Sequence, residues 1–266
     1  MERTTGRPEI RIAVIDGPVA PHPDLVASVW NGERPERKGS HHDHGTFVTG
    51  ILAARRGSPA PAICPSCSFL ILPIFGADMG STDLAPRVYS SDLAEAILEA
   101  VSRGASVINL SVAAARPSTR SDPQLQRALD HAAKAGCVVV AAAGNQGVLA
   151  SSSITRHPWV IPVSAFTLTG RPIAQANLGA SIGRGGLGGP GEGVTSLSEK
   201  GGYIKGGGTS AAAAFVTGAV ALLWALLPTI EAQALVWGLK TRRRMTRPSV
   251  APPILDAEGA YQALIR

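Results

Sequence analysis

Four residues of this 266-residue chain, Asp16, His44, Asn145 and Ser210, carry groups suited to acid–base and nucleophilic chemistry, each at a strand end or a helix start. Hydrolysing an amide through a serine requires a base to take the hydroxyl proton and an anion to orient that base. It also requires fixed donors for the tetrahedral oxyanion and an edge to guide the substrate. Ser210 is the candidate nucleophile. It follows Gly206-Gly207-Gly208-Thr209 and opens an apolar run to Pro228, with no charge between Lys205 and Glu231. If that run is helical, Ser210 sits near its N-terminus, where free N–H groups and the positive dipole end favour a developing oxyanion. Ala211-Ala212-Ala213-Ala214 leave room around the serine and favour helix.

Every one of these signals has a blander reading. An Asp before Gly17-Pro18, or an Asn after Gly144, is ordinary turn chemistry. His41, His42, Asp43 and His44 together suggest a metal site. Adjacent histidines in a loop do not converge well on one ion, however, and the His-Glu-x-x-His spacing is missing, so no metal or other cofactor is expected. The segment Gly206–Pro228 is long enough to cross a membrane. Gly218 and Pro228 interrupt it and its basic flanks are sparse, so a buried helix of a large globular domain is the expectation. Gly183-Arg184-Gly185-Gly186-Leu187-Gly188 spells a dinucleotide-binding pattern, which must follow a strand and open a helix. Here it runs into Gly189-Pro190-Gly191, which starts no helix.

The elements that must position the four residues are legible. Near-continuous apolar strands are expected at 10–15, 69–75, 107–111, 137–143 and 159–166. Helices are expected from His44 to near Gly57, over Ser91–Arg103 with Gly104 closing it, and over Asp122–Ala135 with Pro123 as first residue. Residues 30–43 read as a surface loop and 179–193 as a glycine-rich loop. Alternation of this kind means an α/β three-layer sandwich, a mostly parallel sheet covered by helices on both faces. In such sheets functional residues collect beyond the carboxyl ends of the strands, where Asp16, Ser111 and Asn145 fall.

No repeat or break in composition divides the chain. It reads as one domain, 1–266, with a catalytic core at about 10–228 and a basic C-terminal segment, 240–266. At 45% hydrophobic it can bury one sizeable core. The net charge of +6 is dispersed except at Arg242-Arg243-Arg244 and Arg247. That cluster lacks aromatic interleaving, so neither a nucleic acid nor a membrane is an expected partner. The start, Met1–Arg7, lacks the apolar core of a signal peptide, which makes the cytoplasm the expected compartment. Cys64-Pro65-Ser66-Cys67 has redox spacing, but no second pair completes a zinc site; the alternatives are a local disulfide and, in a reducing compartment, the expected pair of loop thiols. Cys137 reads as core. Nothing in the residues signals an oligomeric state.

Taken in order, the motifs resemble the subtilisin-like serine proteases, the subtilases. Ile12-Ala13-Val14-Ile15-Asp16 with His22-Pro23-Asp24-Leu25 resembles the aspartate block of that family, and His44-Gly45-Thr46-Phe47-Val48-Thr49-Gly50 its histidine block. Ala142-Ala143-Gly144-Asn145 resembles the oxyanion block and Gly208-Thr209-Ser210-Ala211-Ala212-Ala213-Ala214 the serine block. The resemblance implies that Asp16 orients His44, that His44 is general base and then acid, and that Ser210 attacks the carbonyl. The Asn145 side chain and the Ser210 N–H would hold the oxyanion. Asn109-Leu110-Ser111-Val112-Ala113 resembles the substrate edge, where a peptide or protein substrate binds as an added strand along Leu110, Ser111, Val112 and Ala113. Ala142, Ala143 and Gly144 would line the other side.

The departures are Gly17-Pro18 after the aspartate, Phe47 for a second histidine, Thr49, Ala113 for a glycine, Ala211 for a methionine and Ala214 for a proline. None removes a catalytic group. They motivate an alternative reading, a catalytically impaired peptide-binding or scaffold protein on the same fold. The long calcium-binding loop of secreted relatives does not fit after Gly50, leaving at most a weak calcium site. Asp16-Gly17-Pro18-Val19 and the segment 67–75 resemble one branch, the subtilases that process ribosomal peptide natural products, cyanobactin maturation proteases among them. Macrocyclising members carry an insertion; with 27 residues between Asp16 and His44, hydrolysis, the trimming of a precursor peptide, is expected instead.

Overall fold

A computed structural model of the chain describes residues 3–32, 42–74, 89–112, 122–241 and 249–265. Among them the strands are β1 (Arg11–Asp16), β2 (Val29–Asn31), β3 (Ser68–Pro73), β4 (Val107–Leu110), β5 (Val138–Ala142), β6 (Val160–Phe166), β7 (Leu187–Pro190), β8 (Val194–Leu197) and β9 (Tyr203–Gly206). The helices are α1 (Asp43–Ala53), α2 (Ser90–Ser102), α3 (Pro123–Lys134), α4 (Ala180–Gly185), α5 (Thr209–Leu226), α6 (Ala232–Thr241) and α7 (Ala257–Leu264).

Seven strands form one sheet in the order β2-β3-β1-β4-β5-β6-β7, and each of its pairings is parallel. Alternation along the strands divides the core. Ile12, Val14, Phe69, Ile71, Val138 and Val140 face one layer with α1, α5 and α6. Ala13, Ile15, Leu70, Leu72, Val139 and Ala141 face the other, with α2 and α3. Both faces are covered, which is why these strands read as continuous apolar runs rather than alternating ones. The expected three-layer α/β sandwich is the observed fold.

The chain leaves β1 towards β3 on one side and leaves β4 towards β5 on the other. Two adjacent strands whose exits diverge open a crevice at their carboxyl ends. Register aligns those ends: Ile15 pairs with Leu110 and Leu110 with Ala141, so Asp16, Ser111 and Ala142 lie side by side.

Two expectations change. Residues 179–193 are not a loop; they hold α4 and β7. Their glycines serve close packing. A methyl on Gly186 would lie 2.3 Å from the Pro162 carbonyl oxygen, and one on Gly188 2.7 Å from the Phe166 ring. The Gly183–Gly188 pattern therefore has a helix before a strand, the reverse of a phosphate cradle. Residues 29–31, partly assigned to a surface loop, form the edge strand β2. The serine helix begins at Thr209, so Ser210 is its second residue. That helix is the one described segment long and apolar enough to cross a membrane, and 78% of it is buried inside the protein.

The C-terminal region returns to the sheet. Gly188 N–H donates to the Pro253 carbonyl (2.7 Å) and Leu255 N–H to the Gly188 carbonyl (2.8 Å), extending the β7 edge. Asp256 caps α7 by accepting from Gly259 N–H at 2.9 Å. Arg242-Arg243-Arg244 and Arg247 lie outside the described residues.

Candidate functional site

Asp16 ends β1 with its carboxylate fully buried. Its Oδ1 accepts from His44 Nδ1 at 2.6 Å and from Gly17 N–H at 2.5 Å; Oδ2 has no partner among the described residues. A buried anion with one oxygen uncommitted holds a counter-cation strongly, because little water competes for it. His44 stands in the first turn of α1, its imidazole 43% exposed. Gly45 makes that approach feasible: a methyl there would sit 2.3 Å from the Gly17 carbonyl oxygen and 2.4 Å from that of Pro18. The helix start thus lies directly on the turn after β1, which is the physical content of the His-Gly pair. The Asp16 charge raises the pKa of His44, burial opposes it, and the hydrogen bond to Asp16 and the charge of Asp43 add to the rise.

Ser210 lies in the first turn of α5, with Gly208 at φ +89° ahead of it. That left-handed conformation favours glycine. The Ser210 hydroxyl donates to the Ser111 carbonyl at 3.4 Å, which places this candidate nucleophile at the carboxyl end of β4. Asn145 follows Gly144, another left-handed glycine at φ +105°. Its Oδ1 accepts from Thr209 N–H at 2.9 Å, and a methyl on Gly208 would lie 3.0 Å from its Nδ2. With the oxygen so held, the amide N–H groups remain as donors beside the Ser210 turn.

Sequence reasoning missed the groups that hold these four. Thr209 Oγ1 accepts from Gly144 N–H at 3.1 Å, so the residue before the serine clamps the residue before the asparagine. Asn177 donates to the Ala143 carbonyl (3.1 Å) and accepts from Gln146 N–H (3.1 Å) and Val148 N–H (3.2 Å), fixing the turn around Asn145. Thr217, two turns along α5 from Ser210, donates to Asn109 Oδ1 at 2.8 Å; Asn109 in turn donates to Ser111 Oγ at 2.7 Å. Only the last pair left a trace in the sequence, as a Thr inside an apolar helix and an Asn inside an apolar strand.

Of the expected groove residues, Leu110 is the last rung of the sheet. Its side chain is in the core and its backbone pairs with β1 and β5; the Ser111 N–H still donates to the Ile15 carbonyl at 3.3 Å and its carbonyl accepts from Ser210, so the edge opens beyond Ser111, at Val112. Ala142, Ala143 and Gly144 lie at the end of β5 and just beyond it, buried. Ala113 and His41 lie outside the described residues. Among the described residues, no group of three His, Cys, Asp or Glu side chains is gathered as for a metal. Cys64, Cys67 and Cys137 are free and buried. Phe47, Ala211 and Ala214, three departures from the family pattern, belong to the core around α1 and α5.

The subtilase family model matches residues 7–254. Subtilisin BL of Lederbergia lenta is 31% identical over 219 residues, 80% of this chain and 76% of that protein. Among solved structures, a mutant of the protease domain of PatA superposes with a TM-score of 0.88 at 30% identity, covering 100% of this chain and 98% of that one. The prenylagaramide maturation protease PagA superposes at 0.86 with 28% identity, covering 99% and 96%. A parallel sheet with a strand-end aspartate on a helix-start histidine, and a match along nearly the whole chain, lead to one conclusion: the chain belongs to the subtilase family and is a serine endopeptidase.

Proposed function

We propose that this subtilase trims a precursor peptide by hydrolysis, using Ser210 as nucleophile, His44 as general base and acid, and Asp16 as the orienting anion. The observation that carries the reading is the 2.6 Å contact between buried Asp16 and His44 Nδ1. With Nδ1–H donating to Asp16, the lone pair of His44 sits on Nε2, where it can take the Ser210 proton. The serine oxygen bonds to the substrate carbonyl carbon, and the carbonyl electron pair moves to oxygen. Asn145 Nδ2 and the Ser210 N–H hold that oxyanion at the start of α5. The oxyanion pair then re-forms the carbonyl as the C–N bond breaks and His44 gives its proton to the leaving amine; the acyl group stays on the Ser210 oxygen, and water displaces it by the same relay.

The peptide lies as an added strand along Ser111 and Val112. Precursor trimming is supported by the likeness to PatA and PagA, the latter a maturation protease. Hydrolysis over macrocyclisation is supported by the 27 residues between Asp16 and His44. The burial of Phe47, Ala211 and Ala214 in the core favours an active site over an impaired scaffold, because those changes fall on packing. A fluorophosphonate probe tests the reading. Ser210 should be labelled in the folded parent and not in Ser210→Ala; a folded parent that stays unlabelled refutes it.

A further inference from the structure

We infer that the protease prefers a cationic side chain immediately after the scissile bond, at the first or second residue of the leaving peptide, and that Glu192 selects it. The inference rests on the proposed function and deepens it. A cavity of about 520 Å³ opens beside Asn145. It is lined by Ile173, Gln175, Glu192 and the glycine run 206–208, among others, and by none of Leu110, Ser111, Val112, Ala142 or Ala143. The acyl half of the substrate runs along Ser111 and Val112, so this cavity is on the other side of the reacting carbon.

A second contact fixes the same side. A methyl on Gly206 would lie 2.7 Å from the Phe47 ring, so that end of the cavity abuts α1. Phe47 is three residues from His44 on α1, on the same helix face. His44 protonates the leaving amine, so the leaving peptide departs past this wall.

Among the described residues, Glu192 is the only ionisable side chain lining the cavity. It is exposed to solvent and makes no hydrogen bond or ion pair among the described residues. Lys205 adjoins Gly206 in sequence but does not line the cavity. The backbone holds Glu192 close to the nucleophile's turn. Gly208 N–H donates to the Gly191 carbonyl at 2.8 Å, and a methyl on Gly207 would lie 2.3 Å from that same oxygen. An unpaired carboxylate on a rigid turn, in a chain of net charge +6, is a local negative point that attracts lysine or arginine and repels aspartate or glutamate.

The test is a peptide series that differs only at the first and second residues after the cleaved bond, carrying Lys, Arg, Gln or Glu. The parent should cleave the cationic peptides with kcat/KM about two- to fivefold above the Gln peptides, the range of a solvent-exposed ion pair. That ratio should shrink at about 1 M salt, where the screening length is roughly 3 Å. Glu192→Gln should bring the ratio to unity, and Glu192→Lys should invert it in favour of Glu. Cleavage without preference by the parent, or a preference that survives Glu192→Gln, overturns the inference and leaves the protease reading standing. A parent that cleaves no peptide and leaves Ser210 unlabelled by fluorophosphonate overturns both.

Discussion

Replacing Asp16 with Asn removes one charge and almost no volume, and the structure says where the new amide must turn. Asp16 Oδ1 accepts from both His44 Nδ1 and Gly17 N–H, whereas Oδ2 has no partner among the described residues. The Asn oxygen therefore keeps the Oδ1 position, and the NH₂ falls where Oδ2 stood, buried and unsatisfied. The His44 tautomer survives; the electrostatic stabilisation of its imidazolium does not. At an effective dielectric constant of about 20, charges 2.6 Å apart attract by about 6 kcal/mol. Water reaches the 43%-exposed imidazole and weakens this. A fall in kcat of about 10³–10⁴ results, at 1.36 kcal/mol per tenfold.

The pH dependence gives a second reading of the same variant. His44 must be neutral to act as base, and Asp16 is the chief cause of its raised pKa. Asp16→Asn should move the acid limb of the kcat/KM profile, followed with a fluorogenic peptide, to lower pH. Stability follows with a definite sign. A histidine pKa raised by folding contributes stability that is complete below the unfolded value of about 6.5 and is lost as pH rises through the folded value. The parent's Tm should therefore fall across that window, and the variant's should fall less. A loss under tenfold, or an acid limb that does not move, would refute the role given to Asp16.

Ser210→Ala and His44→Ala should each remove most turnover, while the double variant should be no worse than either, since the relay fails as a unit; steady-state kinetics on the three proteins decides it. Asn145→Ala should lower kcat by about 10²–10³ with KM little changed, because its amide meets charge only in the transition state; a raised KM with kcat unchanged would show that the asparagine acts in ground-state binding instead. Ile71→Ala, a fully buried residue of β3, should cost about 2–5 kcal/mol in urea unfolding without altering probe labelling of the remaining folded protein.

Sequence alone determined the layers and the candidate chemistry. Strands such as Val138–Ala142 are apolar at every position because both faces are covered, so their existence and parallel pairing could be read from local pattern. Asp16, His44, Asn145 and Ser210 were legible because each sits at an element boundary marked by glycine, where the backbone needs special geometry. What sequence could not supply were contacts between residues far apart along the chain. Gly183–Gly188 looked like a loop because glycine reports flexibility locally; only the proximity of Pro162 and Phe166 shows that these glycines permit close packing. Thr209 clamps Gly144 and Asn177 braces Asn145 across intervals of 65 and more than 30 residues, and no local signal encodes such pairs. Glu192 was silent for the same reason. A lone exposed glutamate acquires meaning only when the sheet brings Asn145, the glycine run and the α1 wall around it.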